Sequence, residues 1–103
     1  MVHILGMDLG TTGAKAILID EHGNVTSLAF EEYPLYVPRP GWSEQDHEDW
    51  WKASVEVIRR VTSSARVEPE DIVCIGLTGQ MHGLVLLDGS GRGLRRPILW
   101  NDQ

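Results

Sequence analysis

The stretch that decides the fold lies near the N-terminus and reads Met7-Asp8-Leu9-Gly10-Thr11-Thr12-Gly13-Ala14-Lys15. Short apolar runs over residues 3–9 and 14–20 flank its glycines, and both runs predict β-strands. Because only residues 10–13 separate them, the two strands are expected to pair as an antiparallel hairpin. A turn rich in glycine and asparagine follows, and a third strand over residues 25–33 then extends the hairpin into an antiparallel meander.

The rest of the chain predicts a helix and two further strands. Residues 47–64 carry apolar side chains at helical spacing behind an N-cap at Asp46. The apolar run 72–78 predicts a buried, central, parallel strand in which Cys74 is also buried, and another strand is predicted over residues 83–88. This order predicts an α/β fold with a mixed sheet, antiparallel first hairpins and a helical crossover.

Several side chains are assigned to packing or to solvent. Trp50 and Trp51 occupy apolar positions of the predicted helix and are expected to pack in the core. His3, His22 and His47 lack metal-ligand spacing and receive no functional role. The acidic side chains form a separate set that is expected to be solvated: Glu31, Glu32 and the acids of residues 44–49.

Composition indicates a cytoplasmic enzyme or binding module. The chain has 103 residues, a formal net charge of −6 and 42% hydrophobic residues. An acidic domain of this kind is expected to bind neither nucleic acid nor an anionic membrane surface. Its single cysteine excludes an internal disulfide framework, and no apolar run approaches the roughly 20 residues that a membrane helix needs.

The turn between the first two strands has the chemistry of a phosphate site. The candidate nucleotide-binding residues are Asp8, Gly10, Thr11, Thr12 and Lys15. Glycines let successive backbone N–H groups surround an anion, and the threonine hydroxyls add donors. Asp8 offers a carboxylate for Mg²⁺, and Lys15 offers a positive charge.

Other glycine motifs fit this turn poorly. A P-loop needs Gly-x-x-x-x-Gly-Lys-Ser/Thr before a helix, and a dinucleotide fingerprint needs Gly-x-Gly-x-x-Gly before a helix. Neither spacing is present, and a strand follows the turn. From the residues alone, a plain hairpin turn whose glycines serve only backbone geometry stays an equal alternative.

Longer motifs resemble the FGGY carbohydrate kinases. The first two are the Met7–Lys15 stretch and Gly41-Trp42-Ser43-Glu44-Gln45-Asp46 with Trp50-Trp51. Two more are similar to the xylulokinase branch: Gly79-Gln80-Met81-His82-Gly83 with Leu87-Asp88, and Pro97-Ile98-Leu99-Trp100-Asn101-Asp102. The resemblance implies the actin/Hsp70/hexokinase-like ATPase fold, which is ribonuclease H-like. It also implies transfer of a phosphoryl group from ATP with Mg²⁺ to a ketopentose, D-xylulose to D-xylulose 5-phosphate.

The resemblance further implies where the sugar binds. The candidate sugar-binding residues are Gln80, Met81, His82, Trp100, Asn101 and Asp102. A neutral imidazole donates and accepts hydrogen bonds, and a methionine can pack against the apolar edge of a sugar. Alternatives stay open for some of them: Trp100 could fill the core, and Asn101 and Asp102 could cap a following helix.

In FGGY kinases the general base is an aspartate much further along the chain, and a second domain holds the adenosine. Residues 1–103 therefore correspond to part of the N-terminal, sugar-binding domain, with no catalytic residue and no ATP-binding domain of their own. We expect no turnover from them alone, and poor solubility or self-association because apolar sheet and helix faces are left uncovered. A homodimer is a separate candidate assembly. Alternatives are another FGGY acceptor, such as ribulose, gluconate, glycerol or a fuculose, and a non-catalytic actin-like module.

Overall fold

The computed structural model describes residues 2–79, 85, 87–93, 95–97 and 99. The strands are β1 His3–Leu9, β2 Gly13–Asp20, β3 Val25–Glu32 and β4 Ile72–Gly79, and helix α1 spans His47–Ala65. A short 3-10 turn, Pro69–Asp71, leads into β4. These elements confirm the predicted order, with ends that differ by one residue. Half of the strand predicted over residues 83–88 lies outside the described residues, and Leu87 forms a single bridge with Gly93.

The four strands form one mixed sheet in the order β3-β2-β1-β4. Strands β1 and β2 pair antiparallel, as do β2 and β3, whereas β4 lies parallel to β1 after the crossover through α1. The register places Asp8 of β1 between Lys15 of β2 and Thr78 of β4. The predicted α/β architecture, an antiparallel meander followed by a helical crossover, is therefore confirmed.

Helix α1 begins and ends with recognisable caps. The Asp46 carboxylate accepts the N–H of Glu48 at 2.9 Å, and the acids Glu48 and Asp49 lie in the first turn, where they favour the helix dipole. Arg66, with φ of 54°, adopts the left-handed conformation that ends the helix, and its N–H donates to Ser63 O. The predicted N-cap at Asp46 is confirmed.

One face of the sheet packs against α1 and forms the core. Strand alternation turns every second side chain toward the helix. Ala14 and Ala16 of β2 are fully buried, and their small size lets α1 approach closely, so that Val57 and Val61 are also fully buried. The other core residues are Leu5, Met7, Leu18, Ala29, Tyr33, Ala53 and Val67. In the described part of the chain, no helix is long and apolar enough to cross a membrane.

Strand β4 differs from its prediction. It lies at the edge of the sheet, where Val73, Ile75 and Leu77 are more than half exposed and Cys74 is also exposed. Helix α1 packs on β2 and β3 and does not cover β4. The predictions of a central position for this strand and of a buried Cys74 are therefore wrong for these residues. An apolar run predicts the strand itself, but the strand is buried only if the helix packs against it, and a local pattern does not determine that.

Two side chains near the start of α1 also differ from their predictions. Trp50 packs against the core, but Trp51 is 68% exposed, because consecutive helical residues point about 100° apart. Glu44 is buried at 7% exposure rather than solvated, and its carboxylate forms an ion pair with Arg95. Helix geometry therefore explains the exposure of Trp51, whereas a contact with Arg95, which is distant in sequence, explains the burial of Glu44.

Candidate functional site

The turn between β1 and β2 lies beside the end of strand β4. The turn is closed by the hydrogen bond from Gly10 N–H to Gly13 O at 3.0 Å. Because β1 and β4 are parallel, Leu9 before the turn lies beside Gly79 at the end of β4. Gly79 immediately precedes the predicted sugar residue Gln80 in the sequence. The end of β4 therefore lies at the same edge of the sheet as the turn.

Three successive carbonyls of the turn accept hydrogen bonds from the body of the protein. Tyr33 Oη donates to Gly10 O, Gln45 Nε2 donates to Thr11 O at 2.6 Å, and Tyr33 N–H donates to Thr12 O at 3.2 Å. In a trans peptide, the C=O and the following N–H point in opposite directions. The N–H groups of Thr11 and Thr12 therefore point away from these partners, and neither has a backbone acceptor among the described residues. Two adjacent outward N–H groups form the kind of concavity that binds anions.

The two glycines of the turn have different surroundings. A Cβ at Gly13 would overlap the carbonyl oxygen of Glu31 and lie 2.7 Å from the ring of Phe30. A Cβ at Gly10 would meet nothing closer than Gly13 O at 3.6 Å, which is ordinary contact. Packing of β2 on β3 therefore requires glycine at residue 13, whereas nothing in the described chain requires it at residue 10.

Asp8 lies on the sheet face opposite α1. With its cross-strand neighbours Lys15 and Thr78 it lines an open groove of about 560 Å³, whose apolar lining includes Ile17 and Leu28. The groove thus has an apolar base and one charged side chain of each sign close to the turn. This is the arrangement that a ligand with both polar and apolar parts requires.

Tyr33 stays a neutral hydrogen-bond donor over the physiological range. Burial raises its pKa to about 12, with a smaller contribution from the negative charge of Asp8. Its hydroxyl therefore retains the proton that it donates to Gly10 O. The tyrosine fixes the first carbonyl of the turn without adding charge to the site.

The site has one carboxylate that suits a magnesium ion. The described residues contain no group of three or more His, Cys, Asp or Glu side chains placed to hold a metal ion. Mg²⁺ keeps several water ligands and is usually held by one or two carboxylates together with phosphate oxygens. Asp8, exposed in the groove two residues before the turn, fits a magnesium ion that arrives with a phosphate group.

The segment before α1 joins the turn to a distant part of the chain. Gln45 N–H donates to Pro97 O at 3.2 Å, and Leu99 N–H donates to Ser43 O at 3.0 Å. The ion pair between Glu44 and Arg95 lies in the same region. Pro97 and Leu99 are buried, and Leu99 directly precedes the predicted sugar residue Trp100 in the sequence.

Residues 3–103 match the N-terminal domain of the FGGY family of carbohydrate kinases. This chain belongs to that family. It is 43% identical over 102 residues to the xylulose kinase of Bacillus subtilis, covering 99% of this chain and 20% of that protein. It is 39% identical over 97 residues to the glycerol kinase of Thermococcus onnurineus, covering 94% of this chain and 20% of that protein. The chain therefore spans about a fifth of the length of these FGGY relatives.

Solved structures of FGGY kinases share the fold. A xyloylose kinase from Brucella ovis superposes with a TM-score of 0.90 at 49% identity, covering 97% of this chain and 21% of that chain. The Plasmodium falciparum glycerol kinase with ADP superposes with a TM-score of 0.86 at 25% identity, covering all of this chain and 21% of that chain. The predicted FGGY resemblance and the actin-like ATPase fold are both confirmed.

The structure describes only one of the two predicted sets of site residues. The nucleotide set, Asp8, Gly10, Thr11, Thr12 and Lys15, lies together at and beside the β1–β2 turn. The sugar set lies outside the described residues, and its roles stay predictions: Gln80, Met81, His82, Trp100, Asn101 and Asp102.

Sequence reasoning missed the two side chains that hold the turn. The predicted third strand ends at Tyr33, and Gln45 is named only within a family motif. The sequence feature that could have pointed to Gln45 is its place in that motif, where it is a neutral polar residue between the acids Glu44 and Asp46. Its burial, and therefore its role, depends on the packing of α1 against the sheet.

Proposed function

We propose that this chain carries the phosphate-binding turn of a cytoplasmic, ATP-dependent kinase that phosphorylates a ketopentose, most specifically D-xylulose to D-xylulose 5-phosphate. The observation that carries the proposal is the pair of hydrogen bonds from Tyr33 and Gln45 to the carbonyls of Gly10 and Thr11, because they leave the N–H groups of Thr11 and Thr12 on the opposite side of these peptides. Family membership supports the reaction class. The identity to a xylulose kinase, together with the Met81-His82 pair quoted above, supports the choice of sugar.

Each residue of the turn has a role in this proposal. The N–H and hydroxyl groups of Thr11 and Thr12 donate to phosphate oxygens, and Gly10 lets those oxygens approach the backbone. Asp8 holds Mg²⁺ through its carboxylate or a bound water, and Lys15 adds a positive charge. When bound, Mg²⁺ neutralises charge on the phosphate oxygens during transfer. ADP in the related glycerol kinase supports the choice of an adenine nucleotide.

The proposal assigns the remaining functions to other parts of the protein. Residues 1–103 form part of the N-terminal, sugar-binding domain, with Gln80, Met81, His82 and residues 100–102 toward the sugar. A second domain holds the adenosine, and an aspartate much further along the chain is the general base that accepts the proton of the attacking hydroxyl. Self-association as a homodimer stays a prediction.

A kinase assay on the full-length protein that contains these residues tests the proposal. ADP release is measured with MgATP and, in turn, D-xylulose, L-ribulose, gluconate and glycerol. We expect kcat/KM for D-xylulose to exceed the others by at least roughly tenfold, because a pocket that hydrogen-bonds specific hydroxyls discriminates strongly. No ADP release with any acceptor would reject the kinase proposal.

Glycerol is the second candidate acceptor, because a glycerol kinase matches this chain almost as well as a xylulose kinase does. The same panel separates the two. A higher kcat/KM for glycerol than for D-xylulose would replace the ketopentose and leave the phosphate-binding turn unchanged.

A further inference from the structure

Gln45 is a buried polar side chain that reaches the proposed phosphate turn from outside it. Its side chain is fully buried, at 0% exposure. Its Nε2 donates to Thr11 O at 2.6 Å, and its Oε1 accepts from Trp50 Nε1 at 3.0 Å. The indole N–H is only a donor, so it identifies the amide oxygen and leaves the amide nitrogen facing the turn.

Packing alone does not account for a glutamine at this position. Burying a primary amide costs free energy unless its polar atoms are hydrogen-bonded, and a leucine of similar volume would have no such cost. The amide of Gln45 is instead used at both ends, toward α1 through Trp50 and toward the turn through Thr11. The contact fixes the orientation of one particular peptide group, the one between Thr11 and Thr12.

We propose that Gln45 is a positioning residue for the nucleotide phosphates. The inference rests on the proposed function of the turn. The hydrogen bond to Thr11 O holds that peptide so that the Thr12 N–H points outward before any ligand arrives. Without the bond the peptide plane can rotate, and ordering it on binding then reduces affinity and rate. Tyr33 holds the preceding carbonyl, Gly10 O, in the same way.

The position of Gln45 also predicts which substrate is affected. Its side chain contacts the turn, whereas its backbone N–H donates to Pro97 O in the segment that leads to the predicted sugar residues. A side-chain substitution keeps the backbone bond. Loss of the amide should therefore change the kinetics of ATP and leave those of the sugar nearly unchanged.

The test uses Gln45→Leu and Gln45→Glu in the full-length protein. Leucine removes both hydrogen bonds, whereas glutamate can still accept from Trp50 but has no donor for Thr11 O. We expect both variants to reduce kcat/KM for ATP by roughly tenfold to a hundredfold, with KM for the sugar changed by less than about twofold. ADP should protect the Thr11 and Thr12 amides from hydrogen exchange less in the variants than in the wild-type protein.

Val61→Ala is the matched control for a general loss of stability. Val61 is fully buried one turn of α1 beyond Val57, and it has no hydrogen bond to the turn. We expect it to lower the melting temperature while leaving KM for ATP unchanged. If Gln45→Leu does not fold, Gln45→Asn replaces it, because its shorter side chain keeps the amide but cannot reach Thr11 O.

Three outcomes separate this inference from the proposed function. Normal ATP kinetics in the Gln45 variants, with a raised KM for ATP in Gly10→Ala, would overturn the role of Gln45 alone. Normal ATP kinetics in the variants at both positions would overturn the phosphate turn itself. An equal loss for ATP and sugar, shared by Val61→Ala, would show that Gln45 acts only through stability and would also overturn its positioning role.

Discussion

Alanine substitutions at the two glycines of the β1–β2 turn should have opposite consequences. At Gly13 an added methyl group would overlap Glu31 O, and it would lie 2.7 Å from the Phe30 ring. At Gly10 the nearest atom would be Gly13 O at 3.6 Å. Gly13→Ala should therefore damage the fold, and Gly10→Ala should damage only the approach of the phosphates.

The magnitudes follow from these contacts. At Gly13 the overlapping atom is backbone, so β2 and β3 must separate, which typically costs about 1–3 kcal/mol. Gly10 is not among the glycines with positive φ, which are Gly23, Gly41 and Gly91, so alanine is compatible with its backbone. Gly10→Ala should be neutral or should stabilise the protein by up to about 1 kcal/mol, because it restricts the unfolded chain. A methyl group between the backbone and a phosphate should raise KM for ATP by about tenfold, or about 1.4 kcal/mol.

Thermal unfolding and ATP kinetics on the full-length protein provide the assay. Gly13→Ala should lower the melting temperature by several degrees, and Gly10→Ala should leave it unchanged or slightly raised. Only Gly10→Ala should raise KM for ATP while the melting temperature is retained. The steric argument is refuted if Gly10→Ala destabilises as much as Gly13→Ala. The phosphate assignment is refuted if Gly10→Ala leaves KM for ATP at the wild-type value.

Three further predictions concern the surroundings of the turn. Because the pKa of Tyr33 is raised from 10.0 to about 12, its contribution to stability is complete below pH 10 and is lost as the pH rises toward 12. Denaturant unfolding across that range should show the free energy of unfolding fall by roughly 2–3 kcal/mol. Tyr33→Phe should abolish this fall, and a variant with the same pH profile as the wild-type protein would contradict the prediction. Arg95→Ala leaves the buried Glu44 carboxylate without this partner and should destabilise by about 1–2 kcal/mol, whereas adding Glu44→Gln should restore part of the loss. Asp46→Ala removes the cap on Glu48 N–H and should cost about 1 kcal/mol in urea unfolding, while Asp46→Asn should cost less.

The hairpin meander and the helix could be predicted because local patterns determine them. Alternating or continuous apolar runs separated by glycine turns specify strands, and apolar residues at helical spacing behind Asp46 specify α1. The nucleotide candidates from Asp8 to Lys15 were found for the same reason, since one short hairpin contains them all. Their mutual proximity required no long-range contact.

The errors all concern which surfaces meet. Cys74 and the apolar residues of β4 are exposed because α1 packs over β2 and β3. Trp51 points away from the sheet although its neighbour Trp50 packs against the core. Glu44 is buried because Arg95, 51 residues away, supplies a partner for its charge. A periodic pattern identifies an element and its apolar face, but it does not identify the segment that packs against that face.

For the turn itself, the amino-acid sequence determined the donors, and only the tertiary structure decided their direction. The glycines and threonines of residues 10–13 supply N–H groups in any hairpin that they form. Those groups point outward because Tyr33 and Gln45, 23 and 34 residues from their acceptors, bind the carbonyls of Gly10 and Thr11. The physical reason is that a peptide plane in a short glycine turn has little steric preference of its own, so hydrogen bonds from the packed sheet and helix set its orientation.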